Sequence, residues 1–243
     1  MSAQDRAAAP RGPRGAAEPT GQGAPRALRL AADTAPRRLV VLSAGVRRPS
    51  STRLLADRLA DATVQALAQV QVRVAVTVVE VRDHARDLTT MMLTGVATPS
   101  LQAMLDTVAG ADAVIAVTPI YTGSYPGMFK DAVDLLPPDA LAGVPVLVAA
   151  TAGTGRHALA LEYAVRPLFG HLHAVVVPTG VVAATEDFGE VAGSSTADVR
   201  PLAQRVERAA RELAALVAAR PPAAAPGDPF ALTVSFEDLL RGR

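Results

Sequence analysis

The chain has 243 residues, of which 50% are hydrophobic and 19% are charged, and its formal net charge is +1. This length and apolar content suffice for one sizeable core, and a net charge near zero produces no global field that would attract nucleic acid or a membrane. The sequence contains no cysteine, which excludes disulfides, thiolate metal sites and cysteine nucleophiles and agrees with a cytoplasmic location.

Composition divides the chain into three predicted parts. Residues 1–36 are rich in Ala, Pro, Gly and Arg without apolar periodicity, and such a segment is predicted to be disordered because it cannot bury enough surface to offset its ordering entropy. Residues 37–220 are predicted to form one folded domain. Residues 221–243 contain a Pro/Ala linker and the stretch FALTVSFEDLL, predicted either to pack within the protein or to dock on a partner. No apolar stretch is long enough to predict a transmembrane helix.

Strand and helix patterns alternate along the predicted domain. Short β-branched or apolar runs predict strands, and Leu and Ala at helical spacing predict helices. The predicted strands, in chain order, are RRLVVLSAG, QVRVAVTVVEV, DAVIAVTP, GVPVLVAAT and HAVVVPTGVVA. The predicted helices are SSTRLLADRLADATVQALAQV, SLQAMLDTVAGA, GMFKDAVDLLP, HALALEYAVRPLFGHL, with a kink or break at Pro167, and ADVRPLAQRVERAARELAALVAAR. This alternation predicts a parallel sheet covered by helices on both faces, with ligands at the carboxyl ends of strands one, three and four.

The loop after the first predicted strand, SAGVRRPSST at residues 43–52, has the composition of an anion site. A helix N-terminus offers free backbone N–H groups and the positive end of its dipole, and Arg47 and Arg48 add charge. One hydroxyl suffices for a helix N-cap, whereas this loop has four, which favours phosphate binding. It matches neither G-x-G-x-x-G nor the P-loop, which disfavours a classical dinucleotide fold and a kinase-type ATPase. The four hydroxyl residues are Ser43, Ser50, Ser51 and Thr52.

The loop after the third predicted strand, TPIYTGSYPG, offers backbone amides, hydroxyls and an apolar or aromatic wall. These groups suit a flat, neutral heteroaromatic ring, although Gly and Pro also occur in turns for purely conformational reasons. The loop after the fourth strand begins with the small residues TAGTG and continues into His157. His157 is either a general base or a structural residue, and it has no obvious nucleophile as a partner. We predict no catalytic side chain. We also predict no metal site, because His171 and His173 lack a carboxylate at matching spacing.

Three stretches together resemble the NADPH-dependent FMN reductases of the alkanesulfonate type, which supply reduced flavin to two-component, luciferase-like monooxygenases. They are SAGVRRPSSTRLLAD, TPIYTGSYPGMFKDAVDLLP and TAGTGRHALALEYAVRPLFGHLHAVVVPTGV, and the resemblance covers residues 38–184. It implies a flavodoxin-like three-layer α/β sandwich with a five-stranded parallel sheet in the order 2-1-3-4-5. It also implies FMN and NADPH as ligands, and a homodimer or homotetramer whose interface lies near Tyr125 and the helix after it.

The resemblance assigns the predicted site residue by residue. The FMN phosphate is expected on Ser43, Ser50, Ser51 and Thr52. One edge of the isoalloxazine ring is expected against Pro119, Ile120, Tyr121, Thr122 and Gly123. The other edge is expected against Thr151, Gly153 and Thr154. As a separate hypothesis, which the resemblance does not supply, Arg47 or Arg156 meets the 2′-phosphate of NADPH. Hydride transfer between nicotinamide and flavin needs no protein acid or base, which agrees with the scarcity of titratable groups in these loops.

Two other functions fit the same sequence. A quinone or azo reductase would use the same fold with tightly bound FMN. A non-enzymatic electron carrier or flavin-binding redox sensor would bind FMN and turn over NADPH poorly. Carriers of this fold are usually acidic and rely on aromatic stacking, whereas here the net charge is +1 and aromatic residues make up 3%, which weakens the carrier hypothesis.

Overall fold

A computed structural model of the chain describes residues 35–188 and 201–222. Almost all of the predicted tail at residues 1–36 and of the segment at residues 221–243 therefore lies outside the described residues, and these two boundaries stay predictions. Within the described ranges, no helix is both long and apolar enough to cross a membrane.

The described residues form an alternating series of strands and helices. The strands are β1 (Arg37–Ser43), β2 (Val74–Glu80), β3 (Ala113–Pro119), β4 (Pro145–Ala152), β5 (Val175–Val176) and β6 (Val181–Ala184). The α-helices are α1 (Ser51–Gln69), α2 (Ala85–Thr94), α3 (Pro99–Ala109), α4 (Gly127–Asp134), α5 (Arg166–His171) and α6 (Leu202–Ala219). A π-helical turn at Leu161–Val165 precedes α5, and 3₁₀ turns occupy Val81–His84, Gly155–His157 and Thr185–Phe188.

The strands form one parallel sheet in the order β2-β1-β3-β4-β5, and β6 also pairs with β4. This order confirms the predicted flavodoxin-like fold. The register pairs Ser43 with Val117 and Pro119 with Thr151, so β1, β3 and β4 end close together at one edge of the sheet. Loops that are far apart in sequence therefore meet at this edge.

The fifth strand position is filled by two short strands, where the sequence predicts one continuous strand. Pro178 lies between β5 and β6 and has no N–H to donate to a sheet ladder. The backbone groups released by the break find side-chain partners: Arg166 donates to the carbonyls of Val177 and Pro178, at 2.8 and 3.1 Å. Glu212 accepts hydrogen bonds from the backbone N–H and the hydroxyl of Thr179, at 2.8 and 2.7 Å.

Helix α2 has no counterpart among the sequence-predicted elements. Leu88 is its one buried residue, so it lacks the apolar stripe that reveals an amphipathic helix. It ends at Gly95 in the left-handed conformation, with φ of 72°, a common C-terminal signal. At Pro167, where the sequence predicts a kink or break, the chain stays helical: the π-helical turn at Leu161–Val165 runs directly into α5. Pro167 lies in the first turn of α5, where a missing N–H costs little.

Two apolar cores cover the two faces of the sheet. Leu39 and Val41 of β1 belong to the core beneath α1 and α6, whereas Val40 and Leu42 face the core with Phe129. Successive side chains of a strand alternate between faces, so the side chain of Ser43, two residues after Val41, also faces α1. The same alternation places Thr151 of β4, two residues after Ala149 of the α1 core, on that face.

The carboxylate of Glu212 caps the break in the fifth strand, and its pKa reports that role. Burial raises the pKa of Glu212, but hydrogen bonds from the hydroxyl and backbone N–H of Thr179 and from Arg208 outweigh burial, so the pKa lies below its ordinary 4.5. A carboxylate with a lowered folded-state pKa stabilises the fold fully above its ordinary pKa, and this stabilisation is lost as pH falls through the lower value.

We therefore expect Glu212→Gln to lower the free energy of unfolding at pH 7 by about 1–3 kcal/mol, the cost of weakening hydrogen bonds to a charged group. Urea unfolding should show the wild-type and variant curves converging as pH falls below 4.5. Glu207→Gln is the matched control on the same helix, because Glu207 is exposed and its ion pair with Arg211 is 4.0 Å long. An equal loss for Glu212→Gln at pH 7 and at pH 3 would contradict the cap.

Candidate functional site

A cavity of about 780 Å³ opens where β1, β3 and β4 end. Its volume lies within the range of small-molecule sites in proteins. Its walls come from the loops after these three strands and from the 3₁₀ turn after β6. The lining residues are Val46, Arg47, Pro49, Ser50, Ser51, Thr52, Leu54, Pro119, Ile120, Tyr121, Thr151, Ala152, Gly153, Thr185 and Phe188.

The N-terminus of α1 forms one wall of the cavity. Ser50 is its N-cap, with extended backbone angles of −124° and 117°, and the Ser50 Oγ accepts the N–H of Arg53 at 3.2 Å. The first N–H groups of a helix have no intrahelical acceptor, and here they belong to Ser51 and Thr52. These N–H groups and the helix dipole favour an anion at this wall.

The turn before α1 depends on a residue without a side chain at position 45. A Cβ added to Gly45 would lie 2.0 Å from the Ser50 Oγ and 3.1 Å from the Thr52 Cβ. No real Cβ atom tolerates the first distance, so any larger residue must displace the capping hydroxyl. Gly45 therefore lets the strand end pack directly beneath the helix N-terminus.

An ion-pair network outside the cavity holds this loop in place. Arg82, just after β2, donates to the carbonyl of Arg47 at 2.7 Å and pairs with Glu80. Glu80 also binds Arg53 at 2.6 Å, and Arg53 binds Asp57 at 2.7 Å. The hydrogen bond to Asp57 raises the pKa of Arg53, with further support from the charge of Asp57 and from Glu80, against the opposing effect of burial. These charged side chains stabilise the loop, and none of them lines the cavity.

The two arginines of the loop differ in what they contact. Arg48 pairs with Asp83 at 3.2 Å. The guanidinium of Arg47 is exposed and has no hydrogen-bond or ion-pair partner within residues 35–188 and 201–222, and Arg47 lines the cavity. The cavity mouth thus carries a cation that no protein carboxylate in the described part of the chain neutralises.

The loop after β3 forms a second wall and then turns away from the cavity. The N–H of Ile120 donates to the carbonyl of Thr151 at 2.8 Å, and Tyr121 and Ser124 exchange backbone hydrogen bonds at 2.7 and 3.1 Å. Thr122 and Gly123, between them, have φ of 51° and 81°, the signature of a type I′ turn. Both are exposed at the tip, whereas Tyr121, 49% exposed, stands at the cavity mouth.

The loop after β4 meets the N-terminus of α1. The Thr151 Oγ1 lies 2.8 Å from the Thr52 Oγ1, and both residues are buried. Gly153 follows on the cavity wall, where a Cβ would meet no atom within 4 Å. Thr154 points elsewhere, because its hydroxyl caps the next 3₁₀ turn by accepting the N–H of Arg156 at 3.4 Å.

The structure brings most of the sequence-predicted site residues together in this cavity. Those on its wall are Arg47, Ser50, Ser51, Thr52, Pro119, Ile120, Tyr121, Thr151 and Gly153. Thr122, Gly123 and Thr154 do not line it, for the reasons above. Ser43 does not line it either: its side chain is buried on the α1 face, and its Oγ has no hydrogen-bond partner within the described residues.

Sequence reasoning missed the wall formed after β6. Phe188 lines the cavity, and the guanidinium of Arg58 lies 5.5 Å from the centre of its ring. The preceding Asp187 accepts the N–H of Ala184 at 2.8 Å and pairs with Arg205 at 2.6 Å, which fixes the turn. Because aromatic residues make up only 3% of the chain, Phe188 could have been singled out from the sequence as a candidate for a ring-binding wall. Four further wall residues have apolar side chains without any functional group, so the sequence could not single them out. They are Val46, Pro49, Leu54 and Ala152.

The described cavity wall is poor in titratable groups. Arg47 and Tyr121 are its ionisable side chains, and no carboxylate or histidine lines it. His157 is exposed and is not on this wall. Within the described residues, no cluster of His, Asp and Glu could hold a metal ion. The arrangement can bind a phosphorylated ligand with an aromatic ring, but it offers no general acid–base pair.

Comparison with known proteins relates the chain to flavin reductases. Residues 37–189 match the family model described as NADPH-dependent FMN reductase. The chain is 38% identical over 187 residues to FMN reductase (NADPH) of Pseudomonas aeruginosa, a match that covers 77% of this chain and 96% of that protein. It is 37% identical over 183 residues to the NADH-dependent FMN reductase SfnF of Pseudomonas fluorescens, covering 74% and 92%.

Solved structures give the same result. An oxidoreductase from Corynebacterium diphtheriae is 43% identical with a TM-score of 0.69, and the match covers 75% of this chain and 97% of that chain. The apo form of the NADH:FMN oxidoreductase EMOB is 26% identical with a TM-score of 0.60, covering 76% and 92%.

Gly45→Ala tests the packing beneath the helix N-terminus. We expect the added Cβ to displace the Ser50 Oγ and to lower the free energy of unfolding by about 1–2 kcal/mol, the usual cost of losing an N-cap. Thermal or urea unfolding of the ligand-free protein measures this. Gly170→Ala in α5 is the control, because its Cβ would meet no atom within 4 Å. Equal stability of the two variants would show that the contact at Gly45 is not required.

Proposed function

The chain belongs to the NADPH-dependent FMN reductase family and is an NAD(P)H:FMN oxidoreductase, and we propose that it supplies reduced FMN to a two-component flavin monooxygenase. The proposal also assigns FMN to the cavity at the carboxyl edge of the sheet and places the enzyme in the cytoplasm. The observation that carries the FMN assignment is that three loops meet in one cavity, which joins an anion site to an uncharged, ring-sized wall.

The residues present fit FMN by their chemistry. A phosphate suits the N-terminus of α1, where Ser50, Ser51 and Thr52 offer hydroxyls and free N–H groups. A flat ring suits the wall from Pro119 to Tyr121, and Gly153 leaves room at the opposite edge because it lacks a Cβ. The contacts assigned to these residues stay predictions, as do those expected of Ser43, Thr122, Gly123 and Thr154.

The protein's part in the reaction is to bind and orient its two ligands. When bound, the flavin supplies the redox chemistry, which requires no protein acid or base. The described wall therefore needs hydroxyls, backbone groups and apolar surface, and it consists largely of these. By holding the two ligands in contact, the cavity would remove the entropic cost of a random encounter.

In the proposed site the FMN phosphate meets neutral hydroxyls and N–H groups rather than a paired cation, which supports a flavin that binds reversibly. A reversible site suits a reductase that passes its product to a second enzyme. A quinone or azo reductase on the same fold would instead retain FMN and reduce an added acceptor.

NADPH oxidation by desalted protein, with and without added FMN, tests the supply role. We expect the rate to depend on added FMN and to saturate with it. Flavin that stays on the protein after desalting, with activity dependent on an added quinone, would overturn the proposal in favour of the quinone reductase. Bound flavin with negligible NADPH turnover would indicate a redox sensor.

Arg47 is the residue we propose for the 2′-phosphate of NADPH, because its guanidinium lines the cavity without a protein partner in the described ranges. Arg47→Ala should lower the ratio of kcat/KM for NADPH to that for NADH by about tenfold or more, the value of a charge-assisted hydrogen bond. Arg48→Ala is the control, since Arg48 pairs with Asp83. A ratio that falls in Arg156→Ala and not in Arg47→Ala would transfer the role to Arg156.

We also propose a homodimer or homotetramer. Several large apolar side chains of the described surface are exposed at the end of α2 and before α5, and such side chains are often covered in assemblies. They are Met92, Leu93, Val96, Leu159 and Tyr163. Sedimentation or size-exclusion measurements of the full chain test this directly.

A further inference from the structure

We propose that Thr151 is a positioning residue that acts through Thr52: its hydroxyl donates to the Thr52 hydroxyl, which in turn donates to the phosphate of FMN. The inference rests on the proposed function, because it assumes that the FMN phosphate lies at the N-terminus of α1. It links two loops whose threonines are 99 residues apart in sequence.

The number of hydroxyl protons on the two threonines leads to this series of hydrogen bonds. The two Oγ1 atoms are 2.8 Å apart, and either can be the donor. One proton is used between them, and the accepting hydroxyl keeps its own proton. Within the described residues neither hydroxyl makes a second hydrogen bond through its side chain, and Thr52 and Thr151 are only 3% and 6% exposed. Both threonines line the cavity, so a ligand there can accept the remaining proton.

The position of Thr52 decides which hydroxyl donates in this series of hydrogen bonds. With Ser50 as N-cap, Thr52 is the second residue of α1, where the free N–H groups and the dipole favour an anion. An anionic oxygen is a stronger acceptor than a neutral one. The favourable order is therefore Thr151 to Thr52 to phosphate, and each hydrogen bond in such a chain polarises the next.

Binding of oxidised FMN and of riboflavin, which lacks the phosphate, tests the proposal by fluorescence titration without any turnover. Thr52→Val should weaken FMN binding by about 10- to 100-fold, the loss of a hydrogen bond to a charged group. Thr151→Val should weaken it by about 2- to 10-fold, the value of a neutral hydrogen bond. Riboflavin affinity should change little in both variants. Thr52→Ser and Thr151→Ser keep the hydroxyls and should restore FMN binding.

The double variant gives the sharpest result. If Thr151 acts only through Thr52, Thr52→Val with Thr151→Val should bind FMN as Thr52→Val alone does, a non-additive outcome. Thr63→Val is the matched control: Thr63 is a buried threonine on the same helix, and its hydroxyl donates to the carbonyl of Leu59 at 2.7 Å. It should leave both affinities unchanged even if it lowers the melting temperature.

Two results would overturn the proposal. Equal weakening of FMN and riboflavin in Thr151→Val would mean that Thr151 contacts the ring or ribityl chain directly. A lower melting temperature in Thr151→Val with both affinities unchanged would mean that the hydrogen bond is only structural. A wild-type protein that binds FMN no more tightly than riboflavin would instead overturn the phosphate site of the proposed function.

Discussion

The parallel register of β1, β3 and β4 is the constraint on which the site depends. Ladder pairing sets Ser43 beside Val117 and Pro119 beside Thr151, so three strands end at one edge of the sheet. Both faces of these strands are buried, and a shift of one residue would exchange their two sets of side chains. The register therefore cannot slip without disrupting both cores, and the loops that follow are brought together reliably.

The ion pairs beside the cavity and the residues that line it form two separate groups. The ion pairs that join Arg82, Glu80 and Arg53 lie behind the loop after β1 and hold its backbone. The described wall carries hydroxyls, backbone N–H groups, apolar side chains and the guanidinium of Arg47. This division suits a redox reaction between two bound nucleotides, because the chemistry resides in the ligands and the protein provides orientation. It also leaves the described part of the wall free of carboxylates that would repel phosphate.

The break in the fifth strand shapes the cavity as well as the sheet. Because β6 resumes pairing beside the last four residues of β4, the chain leaves the sheet at the same edge as the other loops. The turn at Thr185–Phe188 then adds Phe188 to the wall. Arg166 and Glu212 satisfy backbone groups that the break exposes, so the irregularity does not leave them unpaired.

The sequence by itself determined the alternation of elements apart from α2 and the break in the fifth strand, the parallel sheet, and the three loops that meet at its edge, because periodicity and turn composition are local properties. Family resemblance added the strand order and the ligands. Tertiary structure decided which side chains face the cavity: a type I′ turn directs Thr122 and Gly123 away, and Ser43 is buried beneath α1. The pairing of Thr52 with Thr151 was likewise unreadable in the sequence, since contact across 99 residues depends on strand register and side-chain direction, which no local pattern encodes.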